Sequence, residues 1–418
     1  MDVSGPTSYV MTADEPFRQA STNPPPNSPG QVKSYSGGYT YFSGQVLRMT
    51  DPENIPQYEE RAKEKVNLDR AFLWNYISYG TGVDRRTLTE SKLAFKRYWL
   101  QPQVLTVKSK PSTWTTVLGS PIRIPICISP TAAQVMISSP DGDIQTGNAA
   151  SRASTLMVYS SASGMKIEKF GSIVPHGLYW AQTYLFHDRR NTLHIVRNAE
   201  RFGFKALVVT VDTPVDFLSG SGRVDAMDEL LGPSCVDVDM NPNLIYLNGK
   251  KRENRIYGDT ELWHAKHGIG NQELYCYATW EDFAWLKTKA ARQAIKAGVD
   301  GILVSAHGGR QLAGVPAPLD ALPDVIKAVK GSNVEVYMDG GIRSGSDVFK
   351  ALALGARAVF IGRPPLWGLA VNGEDGVRRV LQILEEELTT TMTMCGCASL
   401  QDIDSSFVKH ESQFKSML

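Results

Sequence analysis

Short apolar runs alternate with helical patterns through the central part of the chain. Seven runs rich in Val, Ile or Leu occur between residues 121 and 364, separated by segments of helical pattern. A continuous apolar run is typical of a strand buried on both faces, as in a parallel sheet. The pattern therefore predicts an α/β fold. The runs are 124–129, 156–160, 177–182, 206–211, 301–305, 335–338 and 358–361.

One strand-helix-strand unit is especially clear, over residues 335–364. Two glycines follow its first strand, a helix begins near Ser346 and ends at Gly355, and a second buried strand follows. Asp339, Gly341, Arg343, Gly362 and Arg363 lie just after these two strands. Glycines allow close backbone approach and arginines bind anions, so we expect a phosphate site here. The alternative is that Gly341 and Gly362 are simple turn residues and that Arg343 and Arg363 are solvated.

Polar residues follow the other predicted strands as well. In a (β/α)8 TIM barrel, the carboxyl ends of the strands form the active site. A distribution of this kind therefore predicts such a barrel, with its functional site at that end. The residues at the other strand ends are Pro130, Thr131, Ala132, Ser160, Gln182, Tyr184, Thr210, Asp212, Ser305 and His307.

The segments on either side differ in composition. Residues 1–45 are rich in Ser, Thr, Pro, Gly and Asn, which predicts a disordered tail. Residues 46–405 form the predicted barrel domain, with a helical pattern over 58–79 before the strands. After the last strand, an outer helix is predicted from apolar residues at helical spacing, and residues 406–418 are predicted to be a polar tail. Those apolar residues are Val377, Val380, Leu381, Leu384 and Leu388.

Charge and cysteine content exclude several classes of function. The net charge is +1, so nucleic acid is an unfavourable partner, and no apolar run is long enough to span a membrane. The amino terminus has no basic-then-apolar secretion signal, and we expect a cytoplasmic protein. The five cysteines show no Cys-x-x-Cys spacing, which argues against a zinc knuckle and a disulfide framework. We predict no metal site.

The segment beginning at His307 resembles a known family signature. His307-Gly-Gly-Arg310-Gln311 is similar to the Ser-Asn-His-Gly-x-Arg-Gln motif of FMN-dependent 2-hydroxy acid oxidases and dehydrogenases. The likeness runs from about residue 55 to 405 and includes Val211-Asp-Thr-Pro214 and the 339–356 segment. The resemblance implies a TIM barrel that binds FMN and transfers a hydride equivalent from a 2-hydroxy acid to flavin. Oxygen or another acceptor would then take the electrons.

The resemblance also implies a role for each residue at the strand ends. His307 would be the base, oriented by Asp212, and imidazole exchanges protons readily near neutral pH. Arg310 would pair with the substrate carboxylate, assisted by Tyr76 and Tyr184. Pro130, Thr131 and Ala132 would lie against the flavin ring. The ring edge and ribityl chain would be bound by Ser160, Gln182, Thr210 and Ser305, and the ribityl and phosphate groups by Asp339, Gly341, Arg343, Gly362 and Arg363.

The largest departure from the family is the apparent loss of strand five and its lysine, which would stabilise negative charge at flavin N1 and O2. Here residues 279–298 follow one uninterrupted helical pattern, which predicts a barrel with strand five missing or replaced. A lost strand leaves two sheet edges unpaired. The explanations are a mis-spliced or mispredicted transcript, replacement by a run such as 244–247 or 274–278, and an open barrel. Lys287 or Lys289 could supply the charge, although a solvated helix face is their simpler explanation.

Two further departures concern the substrate side. Arg223 follows Asp212 about four residues later than the family spacing and could still reach the substrate carboxylate, and Ala306 replaces the motif's asparagine. The polar segment 216–277 corresponds to the loop that sets substrate choice, so a small hydroxy acid is only the family default. The carboxyl-terminal Ser-Met-Leu weakly resembles a peroxisomal address. By family analogy, we expect a homo-oligomer, specifically a tetramer.

Two rival functions follow from these departures. One is a non-catalytic relative that keeps the phosphate grip and has lost productive flavin chemistry with the lysine. The other is a flavin-free barrel enzyme that uses the phosphate site for a phosphorylated substrate. The combination of Tyr76, Tyr184, His307 and Arg310 favours the oxidase, because neither rival requires all four residues.

Overall fold

The computed structural model describes residues 7–12, 34–35, 39–42, 45–48, 52–212 and 298–415, apart from 70, 81, 83, 107–109, 133, 175 and 186–188. The strands are β1 (Thr7–Thr12), β2 (Ser34–Tyr35), β3 (Tyr39–Phe42), β4 (Gln45–Arg48), β5 (Tyr98–Leu100), β6 (Thr115–Val117), β7 (Ser120–Ile122), β8 (Ile126–Ile128), β9 (Leu156–Tyr159), β10 (Leu178–Tyr184), β11 (Ala206–Thr210), β12 (Gly301–Val304), β13 (Glu335–Asp339), β14 (Ala358–Ile361) and β15 (Val408–His410). The α-helices in this part of the chain are α1 (Ile55–Asp69), α2 (Ala71–Ser78), α3 (Arg86–Leu93), α4 (Gln134–Ile137), α5 (Gly142–Arg152), α6 (Ile167–Ile173), α7 (Arg189–Arg201), α8 (Pro318–Val329), α9 (Gly345–Ala353), α10 (Arg363–Cys395) and α11 (Ser412–Lys415).

Strands β8 to β14 form the seven-stranded parallel part of a barrel. Every residue of β8, β9, β12 and β14 is buried, as expected for strands covered by side chains on one face and by helices on the other. All seven predicted strands occur where the apolar runs place them, and strand β14 pairs with β8. The prediction of a parallel (β/α) barrel is confirmed.

Strand β1 supplies the eighth position. It pairs antiparallel with β11 on one side and with β12 on the other, which closes the barrel. Of the explanations for the missing strand, the open barrel does not agree with this closure. The runs 244–247 and 274–278 lie outside the described residues, along with the 279–297 helical pattern. Unpaired backbone groups on β11 and β12 require partners, and the Thr7–Thr12 segment contains Val, Tyr and Thr, which favour strands.

Both terminal segments contain regular structure. The sequence predicts a disordered tail over 1–45, whereas this segment carries β1, β2 and β3. In the predicted polar tail, 406–418, strand β15 pairs with β5. Phe407 anchors it, because this ring is buried 5.8 Å from the ring of Phe349. The domain boundaries at 45 and 405 remain predictions.

An aromatic cluster fills the interior of the barrel. Trp180, Tyr337 and Phe360 are buried with ring centroids 5.6 to 6.0 Å apart. Leu156, Val208 and Leu303 belong to the same cluster. Because side chains occupy this part of the interior, a ligand has room only near the carboxyl ends of the strands.

Helices cover the outside of the barrel. Helix α10 packs against α1, α5 and α9, and its chain direction breaks at Asn372 and Gly373. The five apolar residues predicted to form its inner face are all buried, so that prediction is confirmed. Within the described part of the chain, no helix combines the length and apolar character needed to cross a membrane.

Candidate active site

One cavity at the carboxyl ends of the strands gathers most of the predicted site residues. Its empty volume is about 1450 Å³, including its open mouth. Asp212 contacts His307 from the end of β11, and Arg223 lies outside the described residues. The predicted residues that line the cavity are Tyr76, Pro130, Thr131, Ala132, Ser160, Gln182, Tyr184, Thr210, Ser305, His307, Arg310, Asp339, Gly341, Arg343, Gly362 and Arg363.

His307 is held in a defined orientation. Its Nδ1 atom lies 3.0 Å from Asp212 Oδ1, and its backbone N–H donates to Ser305 Oγ at 2.9 Å. A carboxylate partner favours the tautomer with the proton on Nδ1, which leaves Nε2 able to accept a proton. The backbone of His307 has φ 52°, a left-handed conformation that is uncommon for residues other than glycine.

Asp212 is well placed to support this orientation. Its side chain is only 4% exposed, while that of His307 is 28% exposed, so the carboxylate lies behind the imidazole and the imidazole faces the cavity. A buried carboxylate in this position also stabilises a protonated imidazole. The pair can therefore take up a proton from a bound molecule and hold it.

Polar side chains at three strand ends form a connected row. Gln182 Oε1 accepts from both the backbone N–H and the hydroxyl of Ser161, each at 3.0 Å, and Gln182 Nε2 donates to Thr210 Oγ1 at 2.9 Å. These contacts fix which end of the amide faces each neighbour. Because Gln182 and Thr210 also line the cavity, the row presents a preset pattern of donors and acceptors to a ligand.

Asp339 ends β13 inside the cavity. Ser129 Oγ donates to its Oδ2 atom at 3.1 Å, and its Oδ1 atom is buried with no hydrogen-bond partner among the described residues. Burial raises the pKa of Asp339 to about 6, opposed by the hydroxyls of Ser305 and Ser129. At neutral pH this carboxylate is an acceptor that can still bind a ligand hydroxyl.

Three arginines lie close together in the cavity wall. Arg343 lies over the Trp367 ring with its guanidinium carbon 4.7 Å from the ring centroid, and its buried Nε atom has no hydrogen-bond partner among the described residues. Burial, followed by the charges of Arg310 and Arg343, lowers the pKa of Arg363 well below its ordinary value. Like charges gathered in this way favour a bound anion.

The two glycines of the predicted phosphate site have different environments. Gly341 has φ +82°, and a Cβ atom there would lie 1.8 Å from the carbonyl oxygen of Ser91, so its small size lets α3 pack over the loop. A Cβ atom at Gly362 would make only ordinary contact with Thr131, at 3.6 Å. Close helix packing therefore explains Gly341 without a ligand.

Sequence analysis assigned no role to three residues that support the site. The hydroxyl of Ser129 donates a hydrogen bond to Asp339, and that of Ser161 donates one to Gln182. Gln311 Nε2 lies 3.4 Å from His307 Nδ1. Ser129 directly precedes Pro130, and Gln311 is the last residue of the His-Gly-Gly-Arg-Gln motif, so position alone could have identified both. Nothing in the sequence pattern shows that the hydroxyl of Ser161 would turn toward a glutamine on the next strand.

The cavity wall suits a phosphorylated cofactor that also carries hydroxyl groups. Asp339 Oδ1 offers a buried acceptor, Arg343 Nε offers a buried donor, and the arginine cluster offers positive charge. FMN has hydroxyls, a phosphate and a ring with both donors and acceptors, so these residues fit it. Among the described residues that line the cavity, none is a lysine.

Comparisons with known proteins agree with this arrangement. The family model for FMN-dependent dehydrogenases matches residues 64–410. Human 2-hydroxyacid oxidase 1 is 38% identical over 378 residues, which cover 85% of this chain and 96% of the relative. L-lactate oxidase of Nostoc sp. is 37% identical over 388 residues, covering 87% of this chain and 100% of the relative.

A solved structure gives the same result for the fold. A soluble mutant of (S)-mandelate dehydrogenase from Pseudomonas putida has a TM-score of 0.72 at 27% identity, covering 86% of this chain and 100% of that one. The chain belongs to the FMN-dependent dehydrogenase family, and it is a flavoprotein oxidoreductase that acts on CH–OH donors.

Proposed function

We propose that this protein oxidises a 2-hydroxy acid to the 2-oxo acid, with His307 as the base and Arg310 as the carboxylate-binding residue. The observation that carries the proposal is the His307–Asp212 pair, 3.0 Å apart, in a cavity also lined by Arg310, Tyr76 and Tyr184. A 2-hydroxy acid needs a base for its hydroxyl proton and a cation for its carboxylate, and this cavity provides both.

The residues of the chain divide the chemical work. The Nε2 atom of His307 takes the hydroxyl proton, and Asp212 stabilises the resulting imidazolium. Arg310 is held by its Nη2 bond to the carbonyl of Ile77, at 2.9 Å, and presents the rest of its guanidinium to the substrate carboxylate. When bound, FMN supplies the two-electron acceptor for the hydride equivalent that leaves the alpha carbon.

Cofactor contacts follow the strand ends. When FMN is bound, the buried Nε atom of Arg343 would hold its phosphate group, and the buried Oδ1 atom of Asp339 would hold a ribityl hydroxyl. The Gln182 row would hold the polar edge of the ring, and the segment from Pro130 to Ala132 would lie against its face. Positive charge in the cavity would come from the three arginines, because no lysine lines the described part of the cavity.

Substrate and electron acceptor are proposed at the level of class. The relatives compared above are named for 2-hydroxy acids, lactate and mandelate, which share a hydroxyl group beside a carboxylate. Two of them are oxidases, which supports oxygen as the electron acceptor. We also propose that the protein is cytoplasmic and forms a homo-oligomer. Size-exclusion chromatography with light scattering would test the oligomeric state.

A second candidate is an FMN-binding relative that does not turn over. It is motivated by β1, which lies between β11 and β12, where the resemblance would place the lysine-bearing strand. The two candidates separate in an anaerobic experiment with a panel of 2-hydroxy acids. Loss of visible flavin absorption with any member of the panel supports the oxidase, and a retained spectrum with all of them supports the second candidate.

The variant His307→Asn tests the proposed base. We expect flavin content to stay at the parental level and the rate constant for flavin reduction to fall by about 10² to 10⁴-fold, because the proton acceptor is lost. Anaerobic stopped-flow absorbance gives this rate. The matched control is His194→Asn, which removes a half-exposed histidine that also pairs with a carboxylate, Glu168, at 2.9 Å. An unchanged rate in His307→Asn would exclude His307 as the base.

A further inference from the structure

An ion pair joins two helices, α1 and α3, beside one end of the cavity. That end is lined by Arg343 and Arg363, and we call it the phosphate end. Lys92 Nζ, on α3, lies 3.5 Å from Glu59 Oε1, on α1, and both side chains are partly exposed. Helix α1 also packs against α10, which begins at Arg363. The pair therefore connects the outer helices while its charged groups remain in contact with solvent.

Helix α3 places Lys92 next to the wall of the phosphate end. The preceding residue, Ser91, lines the cavity, and its carbonyl oxygen would lie 1.8 Å from a Cβ atom added to Gly341. Arg343 follows Gly341 by two residues in the same loop. Burial lowers the pKa of Lys92, and the charges of Arg343 and Arg363 lower it further. Lys92 therefore adds a cation within electrostatic reach of this end of the cavity.

Glu59 brings the opposite charge to the same place. Burial lowers the pKa of Arg343, and the Glu59 carboxylate opposes this lowering, as it also does at Arg363. Asp347 acts on Arg343 as well, but its Oδ2 atom already accepts the backbone N–H of Arg343 at 2.9 Å. Asp347 is thus committed to the start of α9. The partner of Glu59, in contrast, is a cation that a bound anion attracts.

We infer that the Glu59–Lys92 pair sets how tightly the phosphate group of the cofactor is held. A phosphate monoester carries about 1.5 to 2 negative charges at neutral pH. At the phosphate end it attracts Lys92 and repels Glu59, so Lys92 strengthens cofactor binding and Glu59 weakens it. The inference rests on the cofactor placement given under the proposed function, and it does not depend on turnover.

The alternative is an ion pair whose role is purely structural. Loss of either charge would then loosen the contact between α1 and α3, and both losses would weaken cofactor binding. Electrostatic control of the phosphate predicts the opposite sign for the two residues: loss of Lys92 weakens binding, whereas loss of the Glu59 charge strengthens it. The direction of the two effects therefore separates the two roles.

The variants Glu59→Gln and Lys92→Met test this in the FMN-loaded protein, because each removes a charge and nearly keeps the length of the side chain. The measurement is the rate constant for FMN release, followed by the rise in flavin fluorescence after dilution. We expect Glu59→Gln to slow release by about 3 to 10-fold and Lys92→Met to speed it by a similar factor, since both charges are partly exposed.

The double variant Glu59→Gln/Lys92→Met tests whether the two effects offset each other. It should release FMN within about twofold of the parental rate, because one favourable and one unfavourable charge are lost together. Both single-variant effects should shrink as the salt concentration rises, because salt screens partly exposed charges. A structural ion pair predicts instead that the double variant releases FMN at least as fast as Lys92→Met.

The matched control is a second ion pair on α1, formed by Arg61 and Glu64 at 3.4 Å. Neither residue lines the cavity. Glu64→Gln removes the same charge as Glu59→Gln, and Arg61→Met removes a cation as Lys92→Met does. We expect both control variants to release FMN at the parental rate.

The inference is overturned if both single variants speed FMN release, or if neither changes it. Arg343→Ala separates this failure from a wrong cofactor placement. If Arg343→Ala releases FMN no faster than the parent, the phosphate lies elsewhere, and the placement and the inference are both wrong. If it speeds release but Glu59→Gln does not slow it, only the inference is wrong. A parent whose bound flavin no 2-hydroxy acid reduces would contradict the proposed oxidation and leave these release rates decisive.

Discussion

Single atoms decide several features of this site, and Gly341 is the sharpest case. A methyl group at this position would meet the carbonyl oxygen of Ser91 at 1.8 Å, so Gly341→Ala must move α3 away from the cavity wall. Gly331 provides a matched control because it has φ +86°, close to the +82° of Gly341, but an added Cβ atom would have no neighbour within 4 Å. The two alanine variants therefore share the backbone cost and differ only in the clash.

We expect Gly331→Ala to lower the free energy of unfolding by about 1 kcal/mol, the usual cost of a left-handed alanine. Gly341→Ala should lower it by about 3 kcal/mol or more, because overpacking is added to that cost. Urea unfolding followed by circular dichroism measures both. Equal losses would mean that α3 accommodates the methyl group, and close packing would then not explain the glycine.

Asp143 gives a pH dependence of stability that can be checked. It is fully buried in α5, and burial raises its pKa to about 7, with the Ser163 hydroxyl opposing. An unfolded aspartate has a pKa of about 4, so between about pH 4 and 7 the folded chain binds more protons than the unfolded chain. The contribution of this group to the free energy of unfolding therefore falls as the pH rises through that window.

The variant Asp143→Asn removes this titration. The free energy of unfolding of the variant minus that of the parent should be larger at about pH 8 than at about pH 5, by up to a few kcal/mol. Urea unfolding of both proteins at the two pH values measures this change, and all other titrating groups cancel in the comparison. A parent-to-variant difference that is independent of pH would mean that Asp143 ionises normally in the folded chain.

Among the elements of the fold, β1 is the strand that closes the barrel. It forms an antiparallel strand between two parallel neighbours, with Ser8 opposite Thr210 and Thr7 opposite Val304. Its first residues thus reach the carboxyl ends of β11 and β12, beside the cavity. An interior strand cannot accept proline without losing a ladder hydrogen bond.

We therefore expect Val10→Pro to lower the free energy of unfolding by about 3 kcal/mol. It should also reduce flavin content, because β11 ends in Thr210 and β12 leads directly to Ser305, and both residues line the cavity. Thermal unfolding and flavin absorption of the purified protein measure the two effects. Asn23→Pro, in the proline-rich stretch 21–29, is the control. Identical melting temperatures for the two variants would show that β1 contributes nothing to closing the barrel.

The elements also show where a single sequence is informative. The seven parallel strands could be predicted because burial on both faces removes polar alternation, and their polar ends identified the cavity. Strand β1 could not, because a six-residue run of ordinary β-formers within a polar segment gains its stability from two distant edges. The same limit explains β15, whose pairing with β5 depends on Phe407 packing against a remote ring.

At the scale of the whole molecule, the sequence predicted which residues would lie in the cavity, but not which partners their side chains would contact. The strand-end rule placed Asp339, Arg343 and Arg363 in one cavity, as the structure shows. It could not indicate that Arg363 would bond three backbone carbonyls while Arg343 leaves a buried Nε atom facing no partner in the described chain. These differences arise from how α2 and α10 approach the barrel, and local sequence does not encode that approach.

The charge of the cavity makes the stability of the whole molecule depend on its ligand. Burial, together with repulsion from Arg310 and Arg343, lowers the pKa of Arg363. A bound phosphate group relieves the repulsion, so removal of FMN should lower the melting temperature. Re-addition at about 100 times its dissociation constant should restore about 2.7 kcal/mol.

Inorganic phosphate separates the contribution of charge from that of the flavin ring. We expect phosphate to raise the melting temperature of the FMN-free protein more than chloride at equal ionic strength, and Arg343→Ala to abolish this increment, because Arg343 offers the buried donor. Lys350→Ala is the control: this cation bonds the carbonyl of Phe95 at 2.9 Å and does not line the cavity. Scanning calorimetry of the three proteins in each of the two salts gives all six melting temperatures. An increment that survives in Arg343→Ala would locate the anion elsewhere and remove this arginine from the cofactor site.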